Sequence, residues 1–197
     1  MNLANKITMS RIYMAIIIML LLLFPFYQFG IDFPVYVVAG RITVNLKYII
    51  AGVIFVIASL TDFVDGNVAR KYNMVTDFGK TIDAISDKIL TNSLLIILAS
   101  DGMISPIIAV VIIVRDIVTD SLKMMMGTKK GAVGAINIAK WKTATLMVGL
   151  VLTLFYNLPF SLMGINISDY LLVIASVLSV VSGIEYYKMA KKCFSEM

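Results

Sequence analysis

Asp62-Phe63-Val64-Asp65-Gly66-Asn67-Val68-Ala69-Arg70, then eight residues, then Gly79-Lys80-Thr81-Ile82-Asp83-Ala84-Ile85-Ser86-Asp87, is the stretch on which the reading of this chain turns. Four carboxylates, Asp62, Asp65, Asp83 and Asp87, stand within 26 residues of a sequence that is 60% hydrophobic. Ionised carboxylates are costly away from water unless cations meet them, so this set needs a physical reason. Residues three or four apart share a helix face. Asp62 and Asp65 stand at i and i+3, Gly66 and Ala69 follow each by four, and Gly79, Asp83 and Asp87 step by four. The spacing predicts two helices that each turn a carboxylate pair toward a shared space, with small residues leaving room for a ligand. Hard oxygen donors in a chain without histidine suit Mg2+ or Mn2+, and would not suit zinc or copper.

The rest of the chain explains where such a site would sit. Charged residues make up only 15% of the 197 residues and the mean hydropathy is +0.94, values of an integral membrane protein rather than a soluble domain. Spanning helices need about 20 mainly apolar residues. Six candidate spans are expected, at roughly 9–28, 42–64, 79–100, 103–126, 139–158 and 168–190. No A-x-A-like cleavage site follows the first apolar run, which is therefore expected to be retained. The single cysteine, Cys193, lies in a basic tail and has no internal disulfide partner.

With six spans, both chain ends share one side. That side and its helix ends hold 15 of the 17 Lys and Arg residues, leaving only Arg41 and Lys47 on the other, so it should be cytoplasmic. Gln28 to Arg41 reads as a long outer connection with an interfacial segment through Phe33 to Val38, and Asp101-Gly102 as a tight outer turn before Pro106. Asn157 to Ser168 forms a third outer loop, and Gly127 to Gly134 a cytoplasmic one carrying Lys129 and Lys130. This alternation brings the four aspartates, Arg115, Lys123, Lys140, Lys142 and Thr143 to one depth, which argues for a polar cavity at the cytoplasmic side. The expected architecture is thus an all-α integral membrane protein, a single domain over residues 1–197, of six transmembrane helices around a metal-containing cavity.

The eight positions Asp62, Asp65, Gly66, Ala69, Arg70, Gly79, Asp83 and Asp87 resemble the signature of the CDP-alcohol phosphotransferase family, D-x-x-D-G-x-x-A-R followed after eight residues by G-x-x-x-D-x-x-x-D. The resemblance implies an enzyme that moves a phosphatidyl group from CDP-diacylglycerol to an alcohol and releases CMP. It implies Asp62, Asp65 and Asp83 as metal ligands for two ions, and Asp87 as shared ligand and general base. It also implies Gly66, Ala69 and Gly79 as the close approach for cytidine, Arg70 as a diphosphate contact, and a homodimer in the bilayer.

Arg115, Lys140, Lys142 and Thr143 form a basic set that suits an anionic acceptor such as glycerol-3-phosphate. Asn5-Lys6-Ile7-Thr8-Met9-Ser10-Arg11, Arg115-Asp116 and Lys140-Trp141-Lys142-Thr143 also resemble the phosphatidylglycerophosphate synthase branch, which would bring Asn5, Thr8 and Arg11 to the site. Ala139 and Asp116 depart from the Gly and Glu usual in that branch. Asp116 and Asp120 read as partners of Arg115 and Lys123. No nucleic acid is expected as a partner. Same-family alternatives use serine, inositol phosphate or phosphatidylglycerol as acceptor. A divalent-cation transporter is the alternative of another class, but it would need acidic residues near mid-membrane and on both sides. The bland reading of the quartet is helix caps and ion pairs with Arg70, Lys80 and Lys88, which would not require the full spaced set.

Overall fold

A computed structural model describes the backbone of residues 3–71, 77–130 and 136–195, and the side chains of residues 9–61, 82–127, 136–193 and 195. Six helices make up most of it: α1 (Leu3–Leu23), α2 (Leu46–Lys71), α3 (Asp77–Ser100), α4 (Pro106–Lys130), α5 (Asn137–Leu154) and α6 (Ile167–Ser195). Each overlaps one of the expected spans. Their ends follow local chemistry. α1 stops before Phe24-Pro25, where the proline ring disfavours helical backbone in the residue ahead of it. α3 ends in a turn closed by Gly102 at φ +71°, with the Met103 N–H donating to the Leu98 carbonyl at 2.9 Å. α4 opens on Pro106, a position whose N–H would have no helical partner.

The six-helix, all-α expectation holds, and a short hairpin joins the first two helices. Val35–Val38 (β1) and Ile42–Asn45 (β2) pair antiparallel, Val35 opposite Asn45 and Val38 opposite Ile42. The hairpin turns through Ala39 and Gly40, both at positive φ. β-Branched residues explain the choice of strand over helix in Ile42-Thr43-Val44, so the second helix begins at Leu46 rather than near residue 42. α5 likewise ends at Leu154, short of the expected 158. The expected connection at Gly127–Gly134 lies partly outside the described residues, and α4 runs on to Lys130.

The core is assembled from helix positions three and four apart. Ala51, Phe55 and Ala58 of α2, Leu90, Leu94 and Leu98 of α3, Leu146, Leu150 and Leu154 of α5, and Leu172 and Ala175 of α6 are all buried in one cluster with Ala15 and Ile18 of α1. Close approach depends on glycine at two places. A Cβ on Gly149 would stand 2.9 Å from Leu172 Cδ2, and one on Gly52 would stand 2.9 Å from Phe155 Cε2. The outward faces are apolar as well, with Ile16, Leu20, Ile107, Val110, Val173 and Val177 all exposed. Helices apolar all round suit a lipid surrounding. Within the described residues α6 is long and apolar enough to cross a membrane over Ile167–Cys193, and Met9–Leu23 and Leu46–Thr61 are shorter apolar stretches.

Hydrogen bonds, one of them to a carboxylate, organise the end of the bundle that carries the hairpin. The Tyr48 hydroxyl donates to Asp101 Oδ2 at 2.6 Å, and the Asn45 N–H donates to the Tyr156 hydroxyl at 3.1 Å. In the α5–α6 connection, buried Asn157 donates from Nδ2 to the Ile165 carbonyl at 2.7 Å and accepts from the Ser168 N–H at 3.2 Å. Asn157 holds φ +55°, a region its short polar side chain tolerates. Asn157→Ala removes both bonds and leaves two backbone groups without their partner. Thermal unfolding in detergent should show a loss of about 1–3 kcal/mol.

Candidate active site

The two halves of the motif fall on two helices, as their spacing predicts: Asp62, Asp65, Gly66, Ala69 and Arg70 on the last turns of α2, and Gly79, Asp83 and Asp87 on the first turns of α3. The side chains of Asp62, Asp65, Arg70, Asn5 and Thr8 lie outside the described residues, as do the surroundings of Gly66, Ala69 and Gly79. Asp83 and Asp87 are described, and they meet a cation from α1. Arg11, fully buried, donates from Nη1 to Asp83 Oδ1 at 2.7 Å and pairs through Nη2 with Asp87 Oδ1. The guanidinium fork spans two carboxylates one helical turn apart, a geometry that an ammonium could not reproduce. Of the three α1 residues assigned to the site from the sequence, Arg11 is the one the described structure brings to the motif.

The two carboxylates differ from a purely structural pair in their access. Their side chains keep 47% and 35% exposure while Arg11 keeps 1%. The guanidinium is sunk into the protein, while each carboxylate side chain keeps part of its surface accessible. Ser86 and Thr91 hydroxyls bond back to the carbonyls of Asp83 and Asp87, at 2.9 and 2.8 Å, and leave the carboxylate oxygens to other partners. Oxygen-only donors with this access fit a hard divalent cation. No group of three or more metal-ligating side chains occurs among the described residues, two of the four motif aspartates being outside them.

A second charged cluster lies beyond α3. Lys88, the residue after Asp87, pairs with Asp120 of α4 and interacts electrostatically with Asp116, Arg115, Lys123 and Lys142. Lys142 of α5 is buried and donates to both oxygens of Asp116 at 2.8 Å. Arg115 Nη1 donates to Asp116 Oδ1 at 2.8 Å, its Nε to the Ser179 carbonyl at 2.9 Å and its Nη2 to the Ser182 hydroxyl at 2.5 Å. Room for the Arg115 stem comes from Gly183, where a Cβ would meet Arg115 Cγ at 3.2 Å. A buried lysine and a partly buried arginine thus share one carboxylate, an arrangement with positive charge left over for an anion.

Arg115 and Lys142, proposed together from the sequence, are brought together. Lys140 and Thr143 are not: both are exposed, and the Thr143 hydroxyl bonds to the Ala139 carbonyl at 3.1 Å. Residues two apart on a helix lie on nearly opposite faces, which separates Lys140 from Lys142. Asp116 takes Arg115 as expected, but Asp120 takes Lys88 rather than Lys123, whose ammonium sits 4.8 Å from the Tyr186 ring. Sequence reasoning missed Ser179, Ser182 and Tyr186 as partners of Arg115. Their step of three and four along α6, facing Arg115 of α4, was the available signal.

The chain is similar to known proteins over most of its length. A sequence model of the family described as CDP-alcohol phosphatidyltransferase matches residues 1–181. A CDP-diacylglycerol–glycerol-3-phosphate 3-phosphatidyltransferase of Bacillus subtilis (strain 168) is 35% identical over 186 residues, which cover 94% of this chain and 93% of that protein. The protein of the same description from Rickettsia typhi is 31% identical over 98% of this chain and 99% of its own length. One from Haemophilus influenzae is 30% identical over 80% and 86%.

Removing the buried cation tests the first cluster. Arg11→Met leaves Asp83 and Asp87 without their guanidinium, and the loss of stability should approach the roughly 3–5 kcal/mol of a broken buried pair, less the relief from their solvent access. Thermal unfolding in detergent measures it. Added Mg2+ should recover more of the melting temperature in this variant than in the parent, because a divalent cation replaces the missing charge.

Proposed function

The chain belongs to the CDP-alcohol phosphatidyltransferase family, and on that premise we propose that it transfers the phosphatidyl group of CDP-diacylglycerol to glycerol-3-phosphate, giving phosphatidylglycerophosphate and CMP in phospholipid synthesis. The observation that supports this most is the shared description of relatives matching nearly the whole chain, joined to a cationic Arg115–Lys142 pair beside the motif. Family membership displaces the cation-transporter alternative. Within the family, an anionic acceptor explains a buried lysine beside a partly buried arginine better than serine does.

On this reading Asp62, Asp65, Asp83 and Asp87 hold one or two Mg2+ or Mn2+ ions. When bound, the metal neutralises the diphosphate and polarises the phosphorus to be attacked. Arg11 keeps Asp83 and Asp87 turned toward that space. Gly66, Ala69 and Gly79 let the cytidine approach the helices, and Arg70 contacts the diphosphate. Arg115 and Lys142 hold the acceptor phosphate, and the exposed Lys140 and Thr143 serve its approach from water. Asn5 and Thr8 border the same space from α1. Asp87 takes the proton from the acceptor hydroxyl as its oxygen bonds to the lipid-side phosphorus and the anhydride bond to CMP breaks. The chain forms one multi-pass domain over residues 1–197, a homodimer in the cell membrane, with both ends and the active site cytoplasmic.

Purified protein with CDP-diacylglycerol and a panel of acceptors should release CMP with glycerol-3-phosphate, and serine, inositol phosphate and phosphatidylglycerol should stay at background. Asp62→Asn and Asp83→Asn should each lower turnover by about 100-fold or more, as should chelation of divalent cations. Undiminished turnover in both variants would sink the assignment.

A further inference from the structure

Asp116 stands where nothing above gives it a chemical task. Its carboxylate is buried, its Oδ1 accepts from both Arg115 and Lys142, and its Oδ2 accepts from Lys142 alone. The three groups come from two helices, and their dependence on one another is uneven. Arg115 is also held by α6, through the Ser179 carbonyl and the Ser182 hydroxyl. Lys142 has Asp116 as its bonded partner on both of the hydrogen bonds described for it, and only 5% of its side chain reaches solvent. Without a carboxylate between them, buried Lys142 and partly buried Arg115 would repel in a medium that screens poorly. A flexible lysine stem would then turn away or give up its proton.

We propose that Asp116 is a positioning residue for the acceptor: it holds Lys142 beside Arg115 in the charged form that grips a phosphate, and so sets the affinity for an anionic alcohol. The proposal rests on the assignment of Arg115 and Lys142 to the acceptor phosphate. It requires the charge of Asp116 and not merely its hydrogen bonds. Both bonds from Lys142 occupy the carboxylate side, so the ammonium has its third hydrogen and Arg115 has its outer edge to offer a phosphate oxygen. An asparagine puts an NH2 donor against an ammonium and cancels one of these bonds, whereas glutamate keeps the charge at the cost of one methylene.

Steady-state kinetics of CMP release from the full chain in detergent separate the possibilities. Asp116→Asn should raise the KM for glycerol-3-phosphate by about tenfold or more and leave the KM for CDP-diacylglycerol and kcat within about threefold. Asp116→Glu should return the acceptor KM to within about threefold of the parent. An acceptor KM unmoved by Asp116→Asn, or both KM values and kcat declining together in both variants, overturns the proposal. Lys142→Met tells this failure from failure of the underlying assignment. If Lys142→Met raises the acceptor KM and Asp116→Asn does not, the acceptor site stands and the positioning role falls; if neither moves it, the acceptor assignment falls too. Should Asp116→Asn not fold, Asp116→Asn/Lys142→Met removes both charges at once. Acting through Lys142, Asp116 should add no more than about threefold to the acceptor KM of Lys142→Met, and a further tenfold rise would overturn the proposal.

Discussion

A buried guanidinium facing two carboxylates sets the terms for the rest of this molecule. Arg11 has no exposed surface, so its charge must be met inside the protein, and Asp83 and Asp87 meet it from the next helix in contact. The same demand recurs across the bundle. Lys88 of α3 is met by Asp120 of α4, and Lys142 of α5 by Asp116 of α4, while Arg115 is met by Asp116 and by α6 oxygens. Hydrocarbon cannot supply these partners and does not press apolar helices together as water would. Ion pairs between helices therefore choose neighbours among faces that are otherwise interchangeable. They do so at the end of the bundle where the motif lies.

The opposite end is held by different means. Tyr48, Asp101, Tyr156 and Asn157 take part in hydrogen bonds among hydroxyl, amide, carboxylate and backbone groups, and Val44 is the buried residue of the hairpin. Such bonds fix geometry without leaving charge to spare. The division is physical: one end is a rigid clasp, and the other carries carboxylates and cations in excess of what mutual pairing consumes.

How much of this could be read in the chain depended on range. The six helices were legible because apolar runs of the right length and the Gly102 and Pro106 signals are local properties. The placement of both motif halves on helices was legible for the same reason: steps of three and four belong to one face whatever lies opposite. The hairpin was misjudged because Ile42-Thr43-Val44 continues the hydrophobic run of α2, and hydropathy alone does not distinguish strand from helix there. Pairings were the least legible. Asp120 has Lys123 three residues away on its own helix yet bonds to Lys88, and Arg11 is 72 residues from Asp83. Spacing along a helix tells which way a charge points and not which charge awaits it. Lys140 and Lys142 were grouped by proximity in sequence, although the helical period sets them on nearly opposite faces.

Two negatively charged substrates must meet at the proposed site, and the sign of the charge on each side shows how a single cavity can hold them. Phosphates repel one another, and a cavity of uniform sign would serve one and reject the other, or hold both too tightly to release either. Here the motif presents carboxylates, which attract an anhydride only by way of a bound cation. The second cluster presents cations directly, tempered by Asp116. On the proposed reading, one substrate would be admitted on condition of metal and the other without it. Lys88, next to Asp87 in sequence and paired with Asp120, stands between the two sets. The acceptor's phosphate and its hydroxyl are separated by a short carbon chain, so an acceptor gripped by Arg115 and Lys142 has its hydroxyl free to reach toward Asp87. Charge separation within the cavity then orients the alcohol before any bond changes, which is the part of catalysis that positioning can supply.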